Sequence, residues 1–356
     1  MTRKIRVAIA GVGNCCSALV QGVHYYADEN RAAVEGVPNL DVGGYKVSDV
    51  EFAAAFDVDR RKVGRDLSEA IFCEPNNYDK VYEVPHLGVK VARGPLLDGA
   101  TGMLTDMIPI SEEPEADVAG VLKESRTEVL ISLLPTGADG ASKFYAEEAL
   151  RAGCGFINAT PTVIACDPRY ARMFDEARLP LVGDDIMSQI GGTVLHRNLL
   201  EFLTERGVKV LHTYQLDVGG GLENYNTLEP SRRALKRRVK TSTIESALPY
   251  SAEIVAGTTD YVDFMKNSRA SYYFIDGRYF LGAPVEIDIY LRTIDAPNSG
   301  SIILDSIRGV KVALDRGIGG SLTSLCAYGY KSTPVKAKTE ESQRWFLEFI
   351  EGKRER

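Results

Sequence analysis

Histidine is scarce in this sequence, long apolar runs are absent, and basic charge is not in excess. The four histidines, His24, His86, His196 and His212, stand at no ligand spacing, and the six cysteines (Cys15, Cys16, Cys73, Cys154, Cys166 and Cys326) include no Cys-x-x-Cys pair. Neither a bound metal nor a disulfide framework is expected, and free thiols suit a reducing compartment. No stretch approaches the roughly 18 apolar residues of a membrane helix. The basic start followed by an apolar run imitates a signal peptide, but Gly11, Gly13 and Asn14 interrupt that run, which reads instead as a first strand and its turn. A cytoplasmic protein is expected. With 42 Lys and Arg against 49 Asp and Glu the formal net charge is −7, which argues against a general nucleic-acid coat or an anionic membrane surface as partner. No repeat or low-complexity segment occurs.

What is present is an ordinary globular composition, 44% hydrophobic and 26% charged. At roughly 150 residues per domain the chain corresponds to about two domains, and its length allows a large core without staples. The apolar run 5–10 ends in Gly-Val-Gly-Asn at 11–14 and is followed by helical spacing over 16–26. Further buried-strand patterns occupy 50–56, ending at Asp57, then 128–134, 155–158 and 180–183, with a helix over 143–152. Continuous apolar strands alternating with helices predict a doubly wound α/β fold with a parallel sheet. Two inserts rich in Gly, Pro and charge interrupt it, at 27–48 and about 76–115. After a helix over 194–206 the pattern changes to strands at 209–218, 272–278 and 285–292 with partial period-two alternation, which predicts a second α/β domain with a mixed, partly antiparallel sheet. Helical signals return at 301–315 and near the C-terminus, and the tail is expected to pack back onto the first domain. The expected division is 1–195 completed by 300–356, and 196–299.

Gly11, Gly13, Asn14 and Cys15 follow a strand and open a helix. Glycines there permit a tight turn and the approach of a pyrophosphate to amides at the positive end of the helix. Cys16 stands where the third glycine of the usual pattern falls. Asp57 ends the second strand, where an acidic residue would hold the ribose hydroxyls; it lies 44 residues beyond Gly13 rather than roughly 20 because of the insert. An acid there favours NAD over NADP, although a glycine turn without ligand is the bland alternative. Arg232, Arg233, Lys236, Arg237, Arg238 and Lys240 form a basic run inside an acidic protein. It reads either as a solvated helix face or as a site for a small phosphorylated substrate. Gly219, Gly220 and Gly221 shortly before it would allow close backbone approach. Asp184 and Asp185 stand at a strand end, where ligands meet parallel sheets.

These residues, with Phe56-Asp57-Val58-Asp59, Arg93-Gly94-Pro95, Leu134-Pro135, Asn158-Ala159, Gly183-Asp184-Asp185, Asp295 with Pro297-Asn298-Ser299, and 315–320, resemble the myo-inositol-1-phosphate synthase (inositol-3-phosphate synthase) family over nearly the whole chain, in the compact form of its bacterial and archaeal members. The resemblance implies a Rossmann-like domain, a central domain that assembles a homotetramer, tightly held NAD, and a redox-neutral reaction. In that reaction C5 of glucose 6-phosphate is oxidised, the C6 enolate attacks the C1 aldehyde, and C5 is reduced again. It implies catalytic roles for Lys236, Lys240, Lys331, Asp185, Asp295 and Glu223, and cofactor contacts from Gly11, Gly13, Asn14, Cys15, Asp57, Ser132, Pro135, Asn158 and Asp184.

The chain departs from the family pattern at Met187, Gly221, Glu223 and Arg269. At Met187 and Arg269 the family carries lysine. Arginine keeps the charge but cannot release its proton near neutral pH, and methionine cannot polarise an oxygen. Met187, Gly221 and Arg269, with Ser188 and Asn226, are therefore expected to tune the substrate. Glucose 6-phosphate is the default. Fructose 6-phosphate, whose carbonyl is at C2, would close a five-membered ring by the same steps. A dehydrogenase that releases NADH and a non-catalytic NAD- or phosphosugar-binding protein are the rivals from other classes.

Overall fold

The computed structural model describes residues 4–27 and 35–356; residues 28–34 of the first insert lie outside that description. Six strands come first: β1 (Ile5–Ala10), β2 (Val50–Asp57), β3 (Val91–Arg93), β4 (Val129–Ser132), β5 (Gly155–Asn158) and β6 (Pro180–Val182). Between them run α1 (Asn14–Tyr25), α2 (Leu67–Ala70), α3 (Val118–Glu124), α4 (Asp139–Ala152) and α5 (Pro168–Glu176). The chain continues through α6 (Gly192–Glu205), β7 (Lys209–Gly219), α7 (Leu222–Asn226), α8 (Pro230–Glu245), β8 (Glu253–Tyr261), β9 (Ser268–Arg278) and β10 (Pro284–Ile294). It ends with α9 (Gly300–Arg316), β11 (Gly320–Ser321), α10 (Thr323–Gly329) and α11 (Thr339–Ile350).

The first sheet is entirely parallel and has the order β11-β6-β5-β4-β1-β2-β3. Every residue of β4 and β5 is buried, as expected for strands covered by helices on both faces. Chain order reverses between β1 and β4, so a crevice opens at their carboxyl ends. The last third of the chain completes this layer. β11 extends the sheet beside β6, and α9 lies beneath β1, β4, β5 and β6 with its residues 301–313 all buried.

The second sheet has the order β10-β9-β7-β8, with β9 antiparallel to both β7 and β10 and β8 parallel to β7. One face packs on α6 and α8 through Leu200, Leu203, Val210, Ile244, Ala256 and Ile275. The other face is open: Tyr214 stacks on Phe274, centroids 5.3 Å apart, and Leu216, Val255 and Tyr290 are exposed. Three strands escape sequence reading. β3 lies inside the second insert, β8 carries a central Gly257 beside polar residues, and β11 has only two residues, so each is defined by its partner strand. No described helix is long and apolar enough to cross a membrane, and all six cysteines are free.

Behind the second sheet's packed face lies His196, fully buried. Its Nε2 donates to Thr213 Oγ1 at 2.7 Å, because that hydroxyl gives its own proton to the Phe274 carbonyl. Burial lowers the imidazole pKa to about 4 from its ordinary 6.5. The native state therefore binds fewer protons than the unfolded chain across that window. The contribution is complete above the unfolded pKa and is lost as pH falls through the folded one. In urea unfolding, His196→Gln should lose less stability than the wild type as pH drops from 6.5 to about 4; parallel losses would contradict a neutral native His196.

Candidate functional site

A cavity of about 290 Å³ opens at the carboxyl ends of β1, β2 and β4 and reaches across to α7, α8 and the start of β9. Its first half is a glycine-lined cradle. Gly11 has φ +97°, and a Cβ there would sit 2.8 Å from the Leu133 carbonyl oxygen, so the turn requires glycine. A Cβ on Gly13 would meet nothing within 4 Å, so backbone faces open space at the start of α1. No side chain caps that helix, which leaves its first amides and positive dipole end for an anion. Cys15 and Pro135 also line the cavity, and burial raises the Cys15 thiol to about 11, away from a reactive thiolate. Asp57 lines it too, and its carboxylate accepts the N–H groups of Val12 (2.8 Å), Val58 (2.7 Å) and Asp59 (2.9 Å). These features fit a dinucleotide with free ribose hydroxyls.

The second half is a set of charges. α8 turns Arg232, Lys236 and Lys240 inward at four-residue spacing, and leaves Arg233, Arg237 and Arg238 exposed. The basic run thus divides into a solvated face and an inward face. Lys236 and Lys331 converge on Asp185, with Nζ to Oδ1 distances of 3.9 and 2.8 Å. Asp185 sits just beyond β6 with φ +57°, a conformation that non-glycine residues seldom hold and that recurs at functional sites. Glu223 reaches Lys236 at 3.3 Å and hydrogen-bonds Thr136. Arg269 joins Asp295 at 3.0 Å to Asp217 at 3.4 Å.

Burial works to raise the Asp185 carboxyl, but Lys236 and Lys331 overcome it and hold the group below its usual range. Burial lowers Lys331 despite Asp185, whereas Asp185 and Glu223 overcome burial at Lys236 and raise it. The cavity wall also holds two unsatisfied atoms, Asp185 Oδ2 and Arg269 Nε, buried without a partner. A carboxylate oxygen without a donor beside ammonium groups is a place for a ligand hydroxyl.

Several expected residues stand outside the cavity lining. Lys240 lies behind it, bound to Asp217 at 2.5 Å, and burial pushes its pKa down to about 8. Asn158 and Asp184 form a buried knot: Asn158 Nδ2 donates to Asp184 at 2.7 Å, and Asp184 accepts the N–H groups of Ile164, Ala165 and Cys166. Ser132 is fully buried. The Met187 side chain is buried and its N–H is bound to the Gly329 carbonyl. Asn226 supports the loop after β4 by donating to the Thr136 carbonyl at 2.9 Å. Ser188 and Gly221 do line the cavity.

Sequence reading missed Lys62, which lines the cradle and donates to the Val12 carbonyl at 2.8 Å and to Asn76 at 3.0 Å. Its only signal is a position five residues past Asp57. Asp217 is also missed; it looks like an ordinary inward strand residue. Among the described residues no group of three or more His, Cys, Asp or Glu side chains is arranged to hold a metal ion.

Residues 191–296 match the family described as Myo-inositol-1-phosphate synthase. Inositol-3-phosphate synthase of Mycolicibacterium smegmatis is 44% identical across 98% of both chains. The chain belongs to the inositol-3-phosphate synthase family. The Corynebacterium glutamicum synthase is 41% identical over 98% of this chain and 99% of its own. Among solved structures, a protein named Ari2 superimposes with a TM-score of 0.79 at 33% identity over 98% of this chain and 99% of its own. The Caenorhabditis elegans synthase, at 14% identity, shares the fold with a TM-score of 0.78 over 98% of this chain and 86% of its own. Family membership supports an enzyme of the inositol-3-phosphate synthase family.

Asp217 is wholly buried and bonds Lys240, Arg269, Ser271 (2.5 Å) and Gln215. Burial would raise its carboxyl, but Lys240 and Arg269 hold it far below the usual range. Asp217→Asn leaves buried Lys240 without its counter-ion and Arg269 with Asp295 alone, and should lower the unfolding free energy by about 3–5 kcal/mol. Adding Lys240→Met should recover part of that loss, and additive losses in urea unfolding would contradict the coupling.

Proposed function

We propose that this chain holds NAD and cyclises a hexose 6-phosphate to a cyclitol phosphate without net redox change, with glucose 6-phosphate as the substrate. The observation that carries the reading is a single cavity joining the glycine cradle at Gly11 and Gly13 to the Lys236, Lys331 and Arg269 cations. When bound, NAD supplies the oxidation of C5 and its later reversal. The protein's own groups do the rest. Lys236 and Lys331 attract the phosphate and the developing oxyanions. Asp185 Oδ2 accepts the hydrogen bond of the C5 hydroxyl. Asp185, held ionised by Lys236 and Lys331, takes that hydroxyl proton as C5 becomes a ketone and gives it back on re-reduction, while the charged Lys331 at 2.8 Å steadies it. The ketone acidifies C6; Glu223, which lines the cavity beside Lys236, takes the C6 proton, the enolate closes on the C1 carbonyl, and Glu223 returns the proton to the new C1 oxygen. Arg269 keeps its charge throughout and steadies the oxygen that becomes negative. Asp57 accepts the ribose hydroxyls and disfavours a 2′-phosphate.

The Asp217–Arg269–Asp295 bar supports a second reading. Arginine stands there in place of the family's lysine, fixed at both ends, and would set where the acceptor carbonyl lies. A ketone at C2, as in fructose 6-phosphate, would then close a five-membered ring. The open aromatic face of the second sheet supports assembly of copies into a homotetramer. Six free thiols suit a cytoplasmic setting.

Carbon and phosphorus NMR of labelled glucose 6-phosphate and fructose 6-phosphate, incubated separately with protein and NAD, tests this. Inositol phosphate from glucose 6-phosphate, with no accumulation of reduced nicotinamide, is the expected result. A five-membered cyclitol phosphate from fructose 6-phosphate alone would select the second reading. Stoichiometric NADH would indicate a dehydrogenase, and binding without turnover would overturn catalysis.

A further inference from the structure

The two halves of the cavity arise from different sheets, and a side-chain relay centred on Asn77, behind the cavity lining, ties them together. Asn14, the first residue of α1, lines the cradle and engages the second insert through its amide. Its Nδ2 donates to Asn77 Oδ1 at 3.0 Å, and its Oδ1 accepts the backbone N–H groups of Asn77 (2.9 Å) and Tyr78 (3.1 Å). Asn77 Nδ2 donates to the Gly220 carbonyl at 2.9 Å, and Asn77 Oδ1 also accepts from Asn267 Nδ2 at 3.1 Å. Asn267 is buried; its Oδ1 accepts the Ala296 N–H at 2.9 Å, and its carbonyl accepts the Asp295 N–H at 2.8 Å. Three asparagines therefore run from the dinucleotide cradle to the turn that bears Asp295, the partner of Arg269.

Two packing facts make the relay stiff. A Cβ on Gly220 would lie 2.5 Å from the Lys266 nitrogen, so the β7 end and the β9 start are locked in close approach. Asn76, next in sequence, faces the other way and donates to the Val12 carbonyl at 3.1 Å while accepting from Lys62. The start of the second insert is thus stitched into the glycine loop on one side and into the second sheet on the other. Asn77 itself does not line the cavity, so it reaches the chemistry only through Asn14 and Asn267.

We propose that Asn77 is a positioning residue that fixes the dinucleotide cradle against the Asp295–Arg269 pair, so that NAD binding orders the hexose-phosphate half. The inference rests on the function proposed above. By linkage the coupling is reciprocal: the sugar phosphate tightens NAD by the same factor.

Glucitol 6-phosphate has no carbonyl and cannot cyclise, and with absorbance at 340 nm checked to show that its C5 is not oxidised, its binding reads the coupling. It is titrated calorimetrically into the full-length protein with and without NAD. In the wild type NAD should tighten its binding at least about fivefold. Asn77→Ala should bring that factor close to one while leaving the affinity for NAD alone little changed. Asn77→Asp keeps the oxygen that Asn14 and Asn267 donate to and loses only the bond to Gly220, so it should retain most of the coupling; thermal melts check that both variants fold. Coupling undiminished in Asn77→Ala, or lost equally in Asn77→Asp, would overturn the relay. A wild type that binds both ligands independently would overturn the relay alone. A wild type that binds NAD but no polyol phosphate would overturn the functional reading and the coupling with it.

Discussion

Two buried carboxylates make this site possible. Lys236, Lys240, Lys331 and Arg269 converge from three separate elements into a region with little water, where like charges repel strongly and each carries a desolvation penalty. Asp185 offsets Lys236 and Lys331, and Asp217 offsets Lys240 and Arg269. Each acid is anchored by its own strand, Asp217 within β7 and Asp185 just beyond β6, so the two sheets supply one counter-ion each. Neutralisation is incomplete by design of the geometry: Asp185 keeps one oxygen without a donor, and Arg269 keeps Nε without an acceptor. Both residues line the cavity, where a polyol phosphate would bring hydroxyls and oxyanions to them.

The rest of the fold supports that arrangement. The parallel sheet ends in glycine turns that present backbone to an anion, and α9 and β11 return from the end of the chain to cover and extend the sheet. The second sheet brings α8 to the cavity with alternate faces of its basic run inward and outward. Loops rather than strands join the halves: Glu223 bonds Thr136, Asn226 supports the Thr136 carbonyl, and Arg232 bonds both Asn226 and Thr101. A site assembled this way depends on side-chain hydrogen bonds for its register.

Much of this was legible in the sequence because it is local. The run at 5–10, the glycine turn and the helix after it follow from hydrophobic pattern and turn chemistry alone, and the structure begins that helix at Asn14, two residues before its expected start. Asp57 was recognisable as the acid ending a strand even with an insert displacing it. The non-local features were hidden. β8 becomes a strand only by pairing with β7, and β3 only by pairing with β2. Nothing in the sequence near Asp217 announces two cations 23 and 52 residues away. Lys240 shares a helix face with Lys236, so spacing alone could not reveal that one lines the cavity and the other stands behind Asp217. Asn77 belongs to an insert whose polar composition reads as loop.

The central claim is that C5 is oxidised and reduced again by the same hydrogen within one active-site visit. The most direct test uses hexose 6-phosphate carrying deuterium at C5, with protein and unlabelled NAD, and reads the label in the product by NMR. The account predicts a cyclitol phosphate that retains deuterium on the carbon that began as C5, with none in the free nicotinamide pool. Loss of the label to free NADH, or a product that exchanges it for solvent hydrogen, would contradict it.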